Sequence, residues 1–314
     1  MPIPVIDFSK LDGEERDKTM ARIANGCEQW GFFQLVNHGI PVELLERVKK
    51  VTTECYKVER EGEFFKSSTP VKLLKELIDK KSDEKLENVD WEDVFLLTND
   101  NEWSPKTPGF KETMTEYRAE LKKLAEKLME VMDENLGLQK GYIKKMFNGG
   151  DTYGENAFFG TKVSHYPPCL DHSDKVTGLR AHTDAGGIIL LFQDDEVGGL
   201  EILKDGEWTD VQPIPNAICI NTGDQIEVLS NGRYKSVWHR VQAMPKGTRR
   251  SIASFYNPSY NAIIEPATEL VQKENKLVNQ FGYPKFLFGD YMSVYTEQKF
   301  MSKEPRFQAV RAAH

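Results

Sequence analysis

The chain has 314 residues, with 41 Lys and Arg against 49 Asp and Glu for a net charge of −8, and a pI near 5.5. That balance, with no basic stripe, argues against a nucleic-acid partner, because polyanion binders present a basic face. No apolar run approaches the ~20 residues that cross a bilayer, the longest being Gly187-Ile-Ile-Leu-Leu-Phe192.

Four scattered cysteines, Cys27, Cys55, Cys169 and Cys219, stand in a chain that opens Met1-Pro-Ile-Pro with no signal-peptide pattern. They are expected to be free thiols of a cytoplasmic protein, with no obligate protein partner evident. Elements follow from periodicity. A helix is expected over Glu14 to Trp30, a short strand at Phe32–Val36, and a second helix from Pro41, which suits a helix start. Residues 59 to 106 alternate charged clusters with short apolar pieces and are expected to be irregular surface. An amphipathic helix runs from about Lys111 to Leu136 and stops at Gly137, followed by a shorter one from Tyr142 to Phe147.

Beyond Gly149-Gly150 the pattern changes to short β-type runs between Pro, Gly, Asn and Asp, as in a sandwich or barrel. Asn231-Gly232 reads as a hairpin turn between two strands. The chain ends in a helix over Phe286 to Gln298 and a basic tail, Lys299-Phe-Met-Ser-Lys-Glu-Pro-Arg-Phe307. With no flexible linker, residues 1–314 are expected to form one compact unit: 1–150 mainly helical, 151–262 the β core, 263–314 the C-terminal helix and tail.

Within the β region His182 and Asp184 are two apart, so on an extended segment they project to one side. His239 shares a face with Val237 and Val241. If the three converge, two imidazoles and one carboxylate hold a divalent metal on one face and leave three positions open, the donor set of non-haem Fe(II) oxygenases. Taken singly, each also reads as a buried core residue. Arg249 and Ser251 share a strand face and can grip a carboxylate, and Lys162, Ser164 and Tyr166 share another before Pro167-Pro168. His165 falls on the opposite face and is not a ligand, and His38, His172 and His314 lack a partner at ligand spacing.

His182-Thr-Asp184, His239 and Arg249-Arg-Ser251 together resemble the His-x-Asp, His, Arg-x-Ser signature of the Fe(II)- and 2-oxoglutarate-dependent dioxygenase superfamily, and Asn37-His-Gly39 with Tyr166-Pro-Pro-Cys169 resembles its plant members. Within it the chain is most similar to the 1-aminocyclopropane-1-carboxylate oxidases, through Trp30–Gly39, Gly178–Asp195, Ser254–Pro258 and Lys303-Glu-Pro-Arg-Phe307. It departs from the family pattern at His165 and Leu170, where Asn and Pro are common.

The resemblance implies a double-stranded β-helix, or jelly roll, flanked by helices: a mainly β core with a helical N-terminal part and a C-terminal helix. It implies Fe(II) on His182, Asp184 and His239, ascorbate as co-substrate, bicarbonate or CO2 as activator, and an amino acid oxidised by O2 to ethylene, CO2 and cyanide. Lys162, Arg249 and Ser251 are then candidate catalytic residues. Those three, with Tyr166, Arg180, Phe255, Lys299 and Arg306, are candidates for binding substrate or bicarbonate. Two alternatives stay open: a 2-oxoglutarate-dependent hydroxylase, whose co-substrate Arg249 and Ser251 would hold, and a non-catalytic jelly roll that binds a small acid.

Overall fold

Apolar spacing at the N-terminus builds a helical layer on one face of a sheet. In the computed structural model, which describes residues 2–99, 101, 103, 106–150, 156–273 and 282–312, strand β1 (Val5–Asp7) lies parallel to β2 (Phe32–Val36). Between them run a 3-10 turn and helix α1 (Arg16–Asn25), which continues as a π-helical turn to Trp30. Gly31 stops it at φ 63°, where a Cβ would lie 2.5 Å from the Lys235 carbonyl oxygen. Pro41 caps α2 (Val42–Cys55), which buries Leu44, Leu45, Val48, Val51 and Cys55.

The segment 59–106 is more ordered than its charge pattern suggests. It forms α3 (Glu61–Ser67), α4 (Thr69–Asp79) and strand β3 (Asp93–Leu97). Both helices are short, and they pack through a small separate cluster of Phe64, Val71, Leu74, Trp91, Cys169, Val176 and Ala243. Most of its partners lie far along the chain, so no local period announces them. Positions 100, 102, 104 and 105 lie outside the described residues.

Helix α5 (Phe110–Leu136) matches the long amphipathic pattern and ends at Gly137, φ 72°. A short α6 (Tyr142–Phe147) follows. The chain then alternates between two sheets through β4 (Phe158–Tyr166), β5 (Thr177–His182), β6 (Ile188–Gln193), β7 (Leu200–Lys204), β8 (Glu207–Asp210), β9 (Ile218–Thr222), β10 (His239–Gln242) and β11 (Arg249–Asn257). The larger sheet runs β1-β2-β9-β6-β11-β4-β3 and the smaller β5-β10-β7-β8. This back-and-forth winding is the expected jelly roll. Strand alternation gives the larger sheet two apolar faces: Val163, Ile188, Leu190, Phe192 and Ile252 join the helices in the main core, while Leu191 and Ala253 face the inter-sheet space.

One expectation is corrected. Asp224 to Leu229 is a helix, α7, rather than the first arm of a hairpin. Asn231 (φ 53°) and Gly232 (φ 80°) do adopt left-handed conformations, but they terminate the helix: the Gly232 N–H donates to the Glu227 carbonyl at 2.8 Å. At the C-terminus, α8 (Thr268–Lys273) and the pair β12 (Ile263–Ile264) with β13 (Phe286–Leu287) lead into α9 (Phe288–Gln298). The basic tail is itself helical from Glu304, as α10 (Glu304–Ala312).

Gly187 opens β6 against a crowded wall. A Cβ there would sit 2.1 Å from the Phe147 ring and 2.5 Å from the Tyr256 carbonyl oxygen, so Gly187→Ala is expected to cost about 1–3 kcal/mol through forced overpacking. A urea midpoint equal to wild type would refute this.

Candidate metal centre

Strand pairing, not sequence proximity, assembles the centre. His182 ends β5 and His239 begins β10, and the antiparallel register sets them directly opposite, with ring centroids 4.3 Å apart. Asp184 follows in the turn after β5. Its Oδ1 is 3.7 Å from His182 Nε2 and its Oδ2 is 3.5 Å from His239 Nε2. One donor atom of each residue lies within 4.8 Å of the others.

His182 Nδ1 is 2.8 Å from the Arg180 carbonyl oxygen and His239 Nδ1 is 3.2 Å from that of Val237. A carbonyl oxygen only accepts, so each Nδ1 carries a proton, and in the neutral imidazole Nε2 then turns a lone pair inward. Burial, reinforced by the neighbouring His239 and Lys299, drives the His182 pKa well below its ordinary value and keeps the ring neutral. Two lone pairs and a carboxylate therefore converge in a buried space with one donor, Asn221 Nδ2, on Asp184 Oδ2 at 2.8 Å. Such a cluster fits a divalent cation, and the Nδ1–H bonds are the outer partners that orient histidine ligands.

The ligands sit on the wall of a cavity of about 220 Å³ between the sheets, below the ~300–1,000 Å³ of pockets for drug-sized ligands. Lys162, Tyr166, Arg249, Ser251, Phe255 and Lys299 line it; Arg180 and Arg306 do not. The Arg180 Nε donates to Asp90 Oδ1 at 2.9 Å, and its guanidinium lies 3.7 Å from the Phe300 ring centroid. The fully buried Arg306 is paired with Asp224 Oδ2 at 3.0 Å. That pairing holds Arg306 away from the cavity lining.

Arg249 has zero solvent exposure. Its Nη1 donates to the Val197 carbonyl and its Nη2 to Gln193 Oε1, its Nε has no partner among the described residues, and burial lowers its pKa. Lys299 also has its pKa lowered, by burial and then by the charge of Lys162.

The family models place this geometry. The "2OG-Fe(II) oxygenase superfamily" model matches residues 157–258, and one described as "non-haem dioxygenase in morphine synthesis N-terminal" matches 3–116. Across 99% of this chain and all of the relative, the chain is 69% identical to 1-aminocyclopropane-1-carboxylate oxidase 5 of Arabidopsis thaliana. The chain belongs to the 1-aminocyclopropane-1-carboxylate oxidases, within the 2OG-Fe(II) oxygenase superfamily. A Musa acuminata oxidase of the same name is 67% identical, with 99% and 100% covered. The crystal structure of JOX2 in complex with 2OG, Fe and JA superposes with a TM-score of 0.76 at 31% identity, covering 99% of this chain and 89% of that one.

In this oxidase-family chain, sequence reading missed Glu92. It accepts from Lys162 Nζ at 2.7 Å and from the Tyr166 hydroxyl at 2.6 Å. It lies in the charged segment taken as surface, and Trp91 beside it was the available signal. Glu92 ties down two of the three polar side chains that β4 sends into the cavity, Lys162 and Tyr166 but not Ser164.

His165, on the far face of β4, stacks on Tyr56 at 4.3 Å, and neither ring nitrogen has a partner among the described residues. Burial, then Arg250 and Arg60, lower its pKa to about 3. The unfolded chain therefore takes up this proton first as pH falls. Stability linked to His165 is complete above ~6.5 and lost between there and about 3, at up to ~1.4 kcal/mol per pH unit. His165→Phe, which keeps the stack, is expected to flatten this slope in urea titrations of metal-free protein between pH 7 and 5; an unchanged slope would count against it.

Proposed function

We propose that this chain oxidises 1-aminocyclopropane-1-carboxylate with O2 and ascorbate to ethylene, CO2 and cyanide, using Fe(II) held by His182, Asp184 and His239. The observation that carries the reading is the convergence of three electron-rich donors on the wall of a cavity sized for a small molecule, in a chain of this family. Bound there, ferrous iron supplies open coordination positions and one-electron chemistry, and ascorbate supplies the electrons that the substrate does not.

The protein's own groups bind and orient. Phe32, Leu191, Val241 and Phe255 give the cavity apolar walls, which exclude water and leave room for a compact ring. Arg249 and Ser251 are assigned to an anion, bicarbonate in the first instance, because a buried guanidinium with no carboxylate partner among the described residues calls for a counter-charge. Lys162 and Tyr166, tied to Glu92, hold a fixed polar wall beside it. Lys299 reaches in from α9 with a lowered pKa, suited to a second polar contact with the substrate or the activator. The buried cysteines, none of them in a disulfide among the described residues, accord with a reducing compartment, and we assign the protein to the cytoplasm.

The test is direct. Purified protein with Fe(II), ascorbate, bicarbonate and the amino acid in air is expected to release ethylene into the headspace. No ethylene from folded, iron-loaded protein would overturn the assignment. Turnover stimulated by 2-oxoglutarate would favour the hydroxylase reading, in which Arg249 and Ser251 grip that acid.

A further inference from the structure

We propose that the Lys303-Glu-Pro-Arg306 motif is a clasp that positions the metal ligands from behind, through two carboxylates on α7, and does not touch the substrate. The proposal rests on the metal centre read above. Lys303 and Arg306 stand one turn apart, as do Asp224 and Glu227 on α7, so two cations meet two carboxylates along matching faces. Lys303 Nζ is 2.7 Å from Glu227 Oε2 and Arg306 Nη1 is 3.0 Å from Asp224 Oδ2. Neither cation lines the cavity.

Each carboxylate also holds one half of the ligand set. Asp224 serves the His-x-Asp half. Its N–H donates to the Asp184 carbonyl at 2.8 Å, and its Oδ2 lies 3.3 Å from the hydroxyl of Thr183, the residue between the two ligands. Arg306 Nη2 donates to that same hydroxyl at 3.0 Å. The Tyr295 hydroxyl donates to the Thr183 carbonyl at 2.8 Å, so Thr183 is held from both sides. The Tyr291 hydroxyl completes the network by donating to Asp224 Oδ2 at 2.6 Å.

Glu227 serves the other half. Its Oε2 accepts from the Ser236 N–H at 2.7 Å, and Lys303 Nζ donates to the Ser236 carbonyl at 2.6 Å. Ser236 lies three residues before His239 on the segment that delivers it. Thus the start of α10, with Lys303 just before it, fixes through one partner helix both chain segments whose spacing sets the distance from His182 and Asp184 to His239. Because the ion pairs are buried, their geometry is rigid, and partners that orient metal ligands typically govern affinity by 10–100-fold.

Mn(II) serves as a redox-silent probe, titrated by electron paramagnetic resonance into metal-free full-length protein. In Thr183→Val, which removes the hydroxyl and keeps the shape, and in Lys303→Gln, the dissociation constant is expected to rise about 10-fold or more, with the circular dichroism spectrum unchanged. Thr183→Ser is expected to restore affinity. Arg306→Gln leaves Asp224 buried and unpaired and is at risk of not folding, so Thr183→Val carries the test. Folded Thr183→Val and Lys303→Gln with wild-type Mn(II) affinity would overturn the clasp. So would a Lys303→Gln variant whose only defect is a raised KM for substrate or bicarbonate. Metal-free wild type that fails to bind Mn(II) would instead sink the metal centre, and intact coupling without ethylene would sink only the substrate assignment.

Discussion

Asp184→Ala is expected to abolish ethylene formation and metal binding together while leaving the metal-free fold no less stable than wild type. The reasoning is electrostatic. Without a cation, the Asp184 oxygens face the Nε2 lone pairs of His182 and His239 at 3.7 and 3.5 Å, and Asn221 is the donor that offsets their burial. Removing the carboxylate forfeits that bond and relieves a poorly compensated buried charge. With a cation present the balance reverses, because the charge is then a ligand. Removing it should cost more than the ~10–100-fold that outer partners of a ligand are worth. His239→Ala is expected to behave alike in activity.

Two measurements separate these effects. Mn(II) at about 100 times its dissociation constant should stabilise wild type by roughly 2.7 kcal/mol and raise its melting temperature, while the melting temperature of Asp184→Ala should not respond. Ethylene release retained in Asp184→Ala would remove the carboxylate from the ligand set. Collapse of the metal-free variant would make Asp184 a structural group.

The candidate ligands could be picked out because their spacing obeys strand geometry. His182 and Asp184 are two apart, and His239 shares its face with Val241. The register that sets His239 opposite His182 was not legible, since cross-strand partners leave no local mark. Helix α5 could be read to within a residue of its start, because a 27-residue amphipathic pattern averages over its exceptions. The short α3 and α4, stabilised by the distant Trp91 and Cys169, could not, and Glu92 was lost with them.

The pairing that holds Arg306 outside the cavity depends on α7. Asn231-Gly232 supplies two consecutive left-handed residues, which serve a hairpin turn and a helix terminus equally. Taken as a hairpin, the arm from Ile226 becomes a strand; the helix that forms instead sets Asp224 and Glu227 on one face. Only the helix gives Lys303 and Arg306 adjacent partners. The tail motif lies against α7 and not along the cavity, because its counter-charges stand on that helix.

Arg249→Lys is expected to raise the bicarbonate concentration for half-maximal ethylene formation by roughly 30-fold, about 2 kcal/mol, the lower end for truncating one partner of a buried charged hydrogen bond. Lysine keeps the charge and loses the planar fork, so the change reads the geometry of recognition. The guanidinium is buried beside Ser251, and its Nε, like Gln193 Nε2, has no partner among the described residues. These unused donors accompany a charge that no carboxylate among the described residues balances at ion-pair distance, so an incoming anion would satisfy both deficits at once. Ser251→Ala, which removes a single hydroxyl, is expected to cost about 1 kcal/mol, roughly 5-fold. If instead the KM for the amino acid rises while the bicarbonate response stays unchanged, the anion held by Arg249 is the substrate carboxylate. If neither moves, Arg249 serves the framework, bracing the β7 side of the cavity through the Val197 carbonyl.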